Sequence, residues 1–399
     1  MTEKATFSLT NARIVTPERN FIGTVVVDGD IIVEITEKND PNGIDLNGEW
    51  LVPGCIDIHS DYLEKELHPR PSASFPLPFA FHFMDQRAAA CGLTTLFTAM
   101  SFSENPQLNR TYEGAIQKSR ELDAVIGTGM IRHFIHSRLD PNSERVLEYF
   151  DAMKAIASLK LVVVNENIPG QRQFRLKDLI EKRAKMLEVS LEESERLLKE
   201  QIAEKSKVDK RPEIMEAFRG LLPIGSHDDT TIKHVEEANT YGASLSEMPT
   251  TIEAARKAKE LGLWVCMGAP NYVRGGSHCG NLSCEEAMNE GLVDMLCSDY
   301  HFPTMLTSVL KMITNGVDPS EAVNYVSLNP ARFLKMEDHL GSIEVGKKAD
   351  VVAFQEADGF AKVSHVWVDG ALKFVSDANG IPAMGMKQKA GAQQAGILA

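Results

Sequence analysis

The sequence predicts an α/β protein: a (β/α)8 barrel, or TIM barrel, with a small β-sandwich domain built from both chain ends. Two observations support this. Between about residues 52 and 335, short apolar runs alternate with helix-forming stretches, and eight such units over about 280 residues suit a closed barrel. Outside that region, both ends of the chain alternate apolar and polar residues around Asp-Gly turns.

The two chain ends carry the same kind of β pattern. The first end reads FSLTNARIV and TVVVDGDIIVEI, with a turn at Asp28-Gly29. The second reads SIEVGKKADVVAFQ and KVSHVWVDGALKFV, with a turn at Asp369-Gly370. We therefore expect one small domain from residues 1–52 and 340–376, flanking a barrel over residues 53–339, with a flexible tail at 377–399.

The middle of the chain supplies the barrel strands and one insertion. The strand candidates are residues 51–58, 94–100, 131–136, 161–164, 222–225, 242–245, 264–267 and 295–297. No GxGxxG motif follows the first of them, which argues against an open dinucleotide-binding sheet. Between strands four and five, residues of about 175–220 are charged and helix-forming. We expect a helical insertion there that covers the barrel; a lid or a dimer contact is the alternative.

Composition narrows the function classes. The 399 residues include 42 Lys and Arg against 56 Asp and Glu, a net charge of −14, which argues against a nucleic-acid partner. No run of about 20 apolar residues and no signal-peptide pattern occurs, so we expect a cytoplasmic protein without membrane contact. The six cysteines form no CxxC pair, and we expect reduced thiols.

Nitrogen and oxygen donors follow five of the predicted strands. In a (β/α)8 barrel the C-terminal strand ends form the active site, so these side chains should converge. Strand one ends in His59-Ser60-Asp61, a spacing that lets His59 and Asp61 share one face. Such donors suit zinc or a similar divalent ion, and we predict one or two ions. The donors at the other strand ends lie in Asn165-Glu166-Asn167, Ser226-His227-Asp228-Asp229, Glu247 and Ser298-Asp299.

This ligand set indicates metal-assisted hydrolysis. A divalent ion lowers the pKa of water, and a nearby carboxylate takes the proton as general base. Asp299, at the last strand end, is the predicted catalytic residue for weak ligation and proton transfer, and Glu166 is long enough to bridge two ions. Glu247, at the end of strand six, is either a sixth ligand or a substrate contact.

Basic and small residues near the strand ends predict an anion pocket. The loop after strand seven reads APNYVRGGSHCGN, in which Gly275 and Gly276 allow backbone N–H groups to approach an anion, and Arg274 and Ser277 add donors. Further basic side chains near strand ends are Lys65, Arg70, Arg138 and Arg172. In an acidic chain, this set predicts a small polyanionic substrate.

Several segments resemble the amidohydrolase superfamily, namely VPGCIDIHSD at residues 52–61 and NPAR with GSIEVGKKADVV within residues 329–352. Within that superfamily, HSDYLEKELHPRP, ACGLTTLF, PGQRQF, SHDDTT, MPTTIEAA, MGAPNYVRGGSHCGN and SDY resemble the PhnM-type hydrolases of the carbon–phosphorus lyase pathway. These motifs run in order across nearly all of the barrel. RGGSH, PGQRQF and SHDDTT are not general features of the superfamily, and an HxD replaces its usual HxH.

The resemblance implies hydrolysis of α-D-ribose 1-methylphosphonate 5-triphosphate to the 5-phosphate and pyrophosphate, with arginines neutralising charge on the leaving group. The resemblance also implies a homodimer, and by position it implies five metal ligands: His59, Asp61, Glu166, His227 and Asp299. The phosphate or phosphonate contacts that the resemblance implies are Arg70, Arg172, Arg274, Ser277 and His278. For His278, as for Glu247, the alternative to a substrate contact is a further metal ligand.

Three positions depart from the pattern that the resemblance leads us to expect. The chain reads Glu166-Asn167-Ile168 before PGQRQF where DHT is expected, Met84 where a His is expected, and Asp140 where a Glu is expected. A second hypothesis is therefore an amidohydrolase that opens a cyclic amide or deaminates a heterocyclic amine. A third, a barrel that only binds an effector, is disfavoured because converging buried charges without a metal are costly.

Overall fold

The computed structural model describes residues 6–70, 73–104, 110–166, 168–172 and 176–376. The predicted tail at 377–399 lies outside the described residues. The described chain begins with five strands of one sheet: β1 (Thr6–Val15), β2 (Asn20–Asp28), β3 (Ile31–Thr36), β4 (Ile44–Asp45) and β5 (Trp50–Pro53).

Eight parallel strands follow in chain order and form the predicted barrel: β6 (Cys55–Ser60), β7 (Leu93–Phe102), β8 (Arg132–Leu139), β9 (Leu159–Val164), β10 (Ile224–His227), β11 (Leu245–Glu247), β12 (Trp264–Gly268) and β13 (Met295–Cys297). Each pairs with the next, and a parallel bridge between Ser60 and Asp299 joins the last strand end to the first. The barrel prediction is therefore confirmed. Apolar side chains fill the interior beneath the strand ends, among them Phe97, Leu161 and Leu245, so this part is a packed core.

The chain then returns to the first sheet through β14 (Val351–Ala357), β15 (Phe360–Val368) and β16 (Ala371–Val375). The strand order is β16-β15-β14-β5-β1-β2-β3, with β4 beside β1, so strands from both chain ends join as predicted, in a single sheet. The sheet curls around its own core: the rings of Phe7 and Trp367, on β1 and β15, stack at 6.5 Å. The domain boundaries proposed from the sequence stay a prediction.

The first strand candidate, residues 51–58, is not one strand. It divides at Gly54 into β5 of the end sheet and β6 of the barrel. A Cβ atom at Gly54 would lie 2.1 Å from Cγ2 of Thr94, so only glycine allows the chain to pass between the two sheets here. A continuous apolar run in the sequence conceals this break.

Helices surround the barrel: α1 (Tyr62–Leu67), α2 (Leu77–Ala90), α3 (Tyr112–Val125), α4 (Phe150–Lys154), α5 (Leu176–Leu187), α6 (Leu191–Lys205), α7 (Arg211–Phe218), α8 (Ile232–Thr240), α9 (Ile252–Glu260), α10 (Ala269–Arg274), α11 (Cys284–Asn289), α12 (Thr304–Thr314), α13 (Pro319–Asn324) and α14 (Leu328–Phe333). Threonine side chains cap α3, α8 and α9 by accepting a hydrogen bond from a backbone N–H in the first turn. No helix within the described ranges is long and apolar enough to cross a membrane.

Helices α5 to α7 form the insertion between β9 and β10, and polar contacts hold it to the loop that follows β8. Lys205 Nζ lies 2.7 Å from a carboxylate oxygen of Asp140, and the Asn142 amide donates to the Val208 carbonyl at 2.9 Å. The backbone N–H of Lys210 donates to the Pro141 carbonyl at 2.8 Å. Asp140, one of the three departures from the expected pattern, thus anchors the insertion.

Candidate active site

Three residues just after barrel strands adopt a left-handed backbone conformation. Asp228, Met248 and Asp299 have φ angles of 57°, 56° and 53°, which are unfavourable for residues with side chains. Each N–H donates to a carbonyl of the neighbouring strand, at Glu247, Cys266 and His59 respectively, over 2.9, 2.8 and 3.1 Å. At Asp228 and Met248 these hydrogen bonds continue the strand pairing by one residue, and at Asp299 the hydrogen bond belongs to the bridge that joins the last strand end to the first. Asp228 and Asp299 both line one pocket.

Glu247 lies at the centre of a buried group of imidazoles. Its Oε2 atom is 3.0 Å from Nδ1 of His59, 3.1 Å from Nδ1 of His227 and 3.8 Å from Nε2 of His136. On the other side of the His59 ring, Nε2 lies 3.6 Å from Oδ1 of Asp61. Two groups of three residues each bring their donor atoms within 4.8 Å of one another. The first group is His59-His227-Glu247, and the second is His59-Asp61-Asp299.

The donor atoms around Glu247, that of His136 included, lie at ion-pair distance but form no hydrogen bond of suitable geometry. Both oxygens of Glu247, Nδ1 of His59 and His227, and Nε2 of His136 are buried and have no hydrogen-bond partner, despite the short distances between them. Buried polar atoms without partners are costly, and such a cluster calls for an explanation. Imidazole nitrogens and carboxylate oxygens that point at one space fit a divalent cation such as zinc.

His136 has the orientation of a ligand. Its Nδ1 lies 3.0 Å from the carbonyl oxygen of Ile58, so the ring proton resides on Nδ1 and donates to that carbonyl. The lone pair of Nε2 then faces Glu247. A backbone carbonyl that fixes the tautomer in this way is a common outer contact of metal-binding histidines.

The electrostatics of the group favour a positive charge at its centre. Burial acts to lower the pKa of His59, but Glu247 and Asp61 outweigh it and raise this pKa well above its usual value. Burial acts to raise the pKa of Glu247, yet the imidazoles of His59 and His136 hold it well below its usual value. The same attraction would act on a bound cation.

Asp61 is neutralised by Arg138, which the sequence had indicated as a substrate contact. One guanidinium nitrogen of Arg138 donates to both carboxylate oxygens of Asp61, at 2.9 and 3.0 Å. The other nitrogens face the Asn165 side chain, whose oxygen accepts from them at 2.7 and 3.0 Å when the amide is oriented toward Arg138. Burial acts to raise the pKa of Asp61, but Arg138 and His59 lower it well below its usual range.

A pocket opens beside Asp299 and carries much of the predicted anion loop. Its lining includes Asp228 and Asp299 together with Arg274, Ser277 and His278. Burial raises the pKa of Asp299, as suits a carboxylate that exchanges a proton. Lys65 contacts the wall of this pocket, because its Nζ donates to the carbonyl oxygen of Tyr300 at 3.0 Å.

Several predicted site residues lie elsewhere. The N–H groups of Gly275 and Gly276 donate to the carbonyls of Tyr272 and Asn271, at 3.3 and 2.9 Å, so they close helix α10 and are not free for an anion. Arg70 is exposed in the loop after α1 and is absent from the described lining of the pocket.

Glu166 and Arg172 lie together, but outside both donor groups. Nε of Arg172 donates to Oε2 of Glu166 at 2.7 Å, and both side chains are 5% exposed. Glu166 therefore does not join the converging donors, and Arg172 does not line the described part of the pocket. Glu166, the predicted metal ligand, and Arg172, the predicted substrate contact, form an ion pair with each other.

Sequence reasoning missed His136, and it named Asp228 at the end of strand five without selecting it as a site residue. A signal existed for each: His136 is two residues before Arg138 on one strand, so both share a face, and Asp228 directly follows His227. Glu247, for which the sequence left two roles open, has the position of a ligand at the centre of the first group.

Comparison with known proteins identifies the family. The profile of the Amidohydrolase family matches residues 50–373. The chain belongs to the amidohydrolase family. The α-D-ribose 1-methylphosphonate 5-triphosphate diphosphatase of Escherichia coli K12 is 30% identical over 380 residues, which cover 92% of this chain and all of that enzyme. The resemblance predicted from the motifs is thus confirmed.

Two solved structures of similar fold come from other branches. Dihydropyrimidinase from Brevibacillus agri superposes with a TM-score of 0.63 at 14% identity, covering 92% of this chain and 95% of that one. N-acetylglucosamine-6-phosphate deacetylase from Pasteurella multocida gives a TM-score of 0.59 at 15% identity, covering 92% and 99%. At such identities the likeness concerns the fold, which hosts several hydrolytic reactions. The chain is an amidohydrolase-family hydrolase.

Proposed function

We propose that the protein is a metal-dependent diphosphatase that hydrolyses α-D-ribose 1-methylphosphonate 5-triphosphate to the 5-phosphate and pyrophosphate. The geometric observation that supports this is a shared residue. Asp299 belongs to a group of potential metal ligands and also lines the pocket that holds Arg274, Ser277 and His278. A hydrolytic centre thus adjoins an anion pocket, as a phosphoanhydride substrate requires. The full-length similarity to the E. coli enzyme supports the choice of substrate.

His59, His136, His227, Glu247, Asp61 and Asp299 would hold the metal, and we propose zinc because imidazole donors predominate at the centre. A divalent ion bound there lowers the pKa of water and offsets charge on phosphoryl oxygens. Glu166, which the sequence also predicted as a metal ligand, is not part of this set.

The side chains of this chain would divide the remaining work. Asp299 accepts the proton of the attacking water at its carboxylate, and the anhydride bond between the α and β phosphates breaks as pyrophosphate leaves. Arg274, Ser277 and His278 bind phosphate oxygens from the loop after β12. Arg138 keeps Asp61 ionised and in place through the two hydrogen bonds from its guanidinium group.

Two further statements belong to this proposal. We propose a cytoplasmic enzyme, as the metabolic role of such a substrate requires. We also propose a homodimer, which the family resemblance implies; light scattering after gel filtration tests it.

Phosphorus NMR tests the reaction. Zinc-loaded protein mixed with the ribose triphosphate should release pyrophosphate, and a chelator should stop the release. Zinc-bound protein that leaves the triphosphate intact would overturn the proposed substrate. A screen of cyclic amides and heterocyclic amines would then test the second hypothesis.

A further inference from the structure

We infer that Arg172 is a positioning residue: with Glu166 and Asp229 it forms a buried brace that fixes His227 and Glu247. This inference rests on the proposed metal site and replaces the substrate-binding role that the sequence indicated for Arg172. We refer below to Glu166, Arg172 and Asp229 as the brace.

The contacts of Arg172 link the ends of β9 and β10. Its Nε donates to Glu166, which follows β9, at 2.7 Å. Its Nη1 donates both to the backbone carbonyl of His227, at 2.8 Å, and to Oδ1 of Asp229, at 3.0 Å. The hydrogen bond to the His227 carbonyl holds the backbone of a candidate ligand directly.

Asp229 extends the brace to β11. Its carboxylate is fully buried and accepts from the Ser226 hydroxyl at 2.7 Å and from the Ser246 hydroxyl at 2.9 Å. Ser226 directly precedes His227 and Ser246 directly precedes Glu247. One carboxylate therefore restrains the residues next to two candidate ligands on neighbouring strands.

The charge balance explains why an arginine occupies this position. Two carboxylates lie against a guanidinium group that is 5% exposed, and a buried carboxylate needs a compensating charge with several donors. Arginine serves two carboxylates and a carbonyl with fixed planar geometry, whereas a lysine ammonium is a point charge on a flexible stem. With two carboxylates against it, Arg172 brings no surplus positive charge to a polyanion.

The test compares Arg172→Lys with Arg132→Lys. Arg132 is a matched control, because it also pairs with two carboxylates, Asp350 and Asp369, at the opposite end of the barrel. Zinc affinity is measured without substrate, by competition with a chromophoric chelator, and Tm is measured beside it. We expect both variants to lower Tm, but only Arg172→Lys to weaken zinc affinity, by about 10- to 100-fold, as loss of an outer-shell partner does.

Kinetics separate positioning from substrate contact. For Arg172→Lys we expect kcat to fall while KM for the triphosphate stays within about twofold. Zinc affinity equal to that of the control, or a raised KM with unchanged zinc affinity, would overturn the inference. If Arg172→Lys does not fold, Asp229→Asn takes its place, since an amide preserves the shape and keeps one of the two acceptor oxygens, and the same loss of zinc affinity is expected.

The two proposals fail in different ways. The predicted zinc affinities without pyrophosphate release from the wild-type protein would support the brace and reject the proposed function. Wild-type protein that takes up no zinc would overturn both.

Discussion

Strand β8 carries a buried charged group at each of its ends, and the two groups are built differently. Arg132 and His133 lie at the start of the strand, and His136 and Arg138 near its end. The barrel therefore presents the same residue types to two environments only a few residues apart. The comparison separates a structural ion network from a ligand site.

The group at the start of β8 is nearly saturated. The Asp85 carboxylate accepts from the N–H groups of Met130 and Ile131, at 2.7 and 3.2 Å, and lies 2.8 Å from Nε2 of His133. Arg132 pairs with Asp350 and Asp369 of the loops in the end sheet. Within this group, only Nδ1 of His133 is buried without a partner. Almost every polar atom has a protein partner, so the network serves stability.

In the group at the end of β8, by contrast, many buried polar atoms have no hydrogen-bond partner. Five nitrogen and oxygen atoms of His59, His136, His227 and Glu247 converge at ion-pair distance around Glu247, without a hydrogen bond of suitable geometry among them. A fold keeps such an arrangement only where something else satisfies it. The difference predicts that substitutions near the strand start change stability, whereas those near the strand end change metal binding and turnover.

The largest expected effect is that of Asp299→Asn. The amide cannot accept the proton of the attacking water, and kcat should fall by about 1,000-fold, within the range for loss of general base catalysis. Tm of the metal-free protein should stay the same or rise, because a mostly buried carboxylate is removed. Steady-state release of pyrophosphate and a thermal melt check the two parts. A kcat within tenfold of the wild type would contradict the role of Asp299.

Asp85→Asn makes the same chemical change at the other end and should have the opposite outcome. The amide can no longer accept from both N–H groups and His133, and the free energy of unfolding should fall by about 3 kcal/mol, as for loss of a buried charged acceptor. Turnover per folded molecule should not change. Urea unfolding measures the first quantity; an equal loss of kcat would show that the two ends are not separable.

His136→Gln tests the residue that sequence reasoning missed. Loss of the Nε2 lone pair removes a direct ligand, so zinc binding should weaken by at least the roughly 10- to 100-fold that loss of an outer-shell partner causes. His133→Gln, three residues earlier on the same strand, should lower Tm and leave zinc affinity unchanged. Competition with a chelator measures the zinc affinity of both variants. Equal zinc affinities would place His136 outside the site.

The barrel and much of the candidate site could be predicted because the spacing of apolar residues indicates strands, and the position of a polar residue relative to a strand indicates which face of the barrel it reaches. Apolar runs mark strands, and the residue after a strand lies at the active-site face, which identified His59, Asp61, His227 and Asp299. It could not reveal which donors face the ion and which pair with each other. Glu166 and Arg172 are six residues apart in the chain, and only the folded loop shows that they neutralise one another.

The anion loop shows the same limit. Two consecutive glycines in RGGSH predict backbone freedom, and both φ angles are indeed positive, at 79° for Gly275 and 155° for Gly276. Whether their N–H groups face a ligand or the preceding helix depends on where α10 ends, and it ends at Arg274. Strain and hydrogen bonding at Asp228 were equally invisible, since they depend on the carbonyl of a neighbouring strand.

The smallest expected effect lies at the rim of the pocket. Lys65 is exposed, its Nζ donates to the Tyr300 carbonyl, and it lies 4.9 Å from the centre of the Tyr300 ring. Lys65→Met should raise KM for the triphosphate by about two- to fivefold without changing kcat, as for loss of an exposed cation. The effect should shrink at high salt, because exposed charges are screened. The control is Lys257→Met, which removes a lysine of α9 that pairs with Glu236 and Glu260. This variant should leave KM unchanged. A salt-independent rise in KM would mean that Lys65 acts through the position of Tyr300 and Asp299, and the rim would then belong to the catalytic end of the comparison.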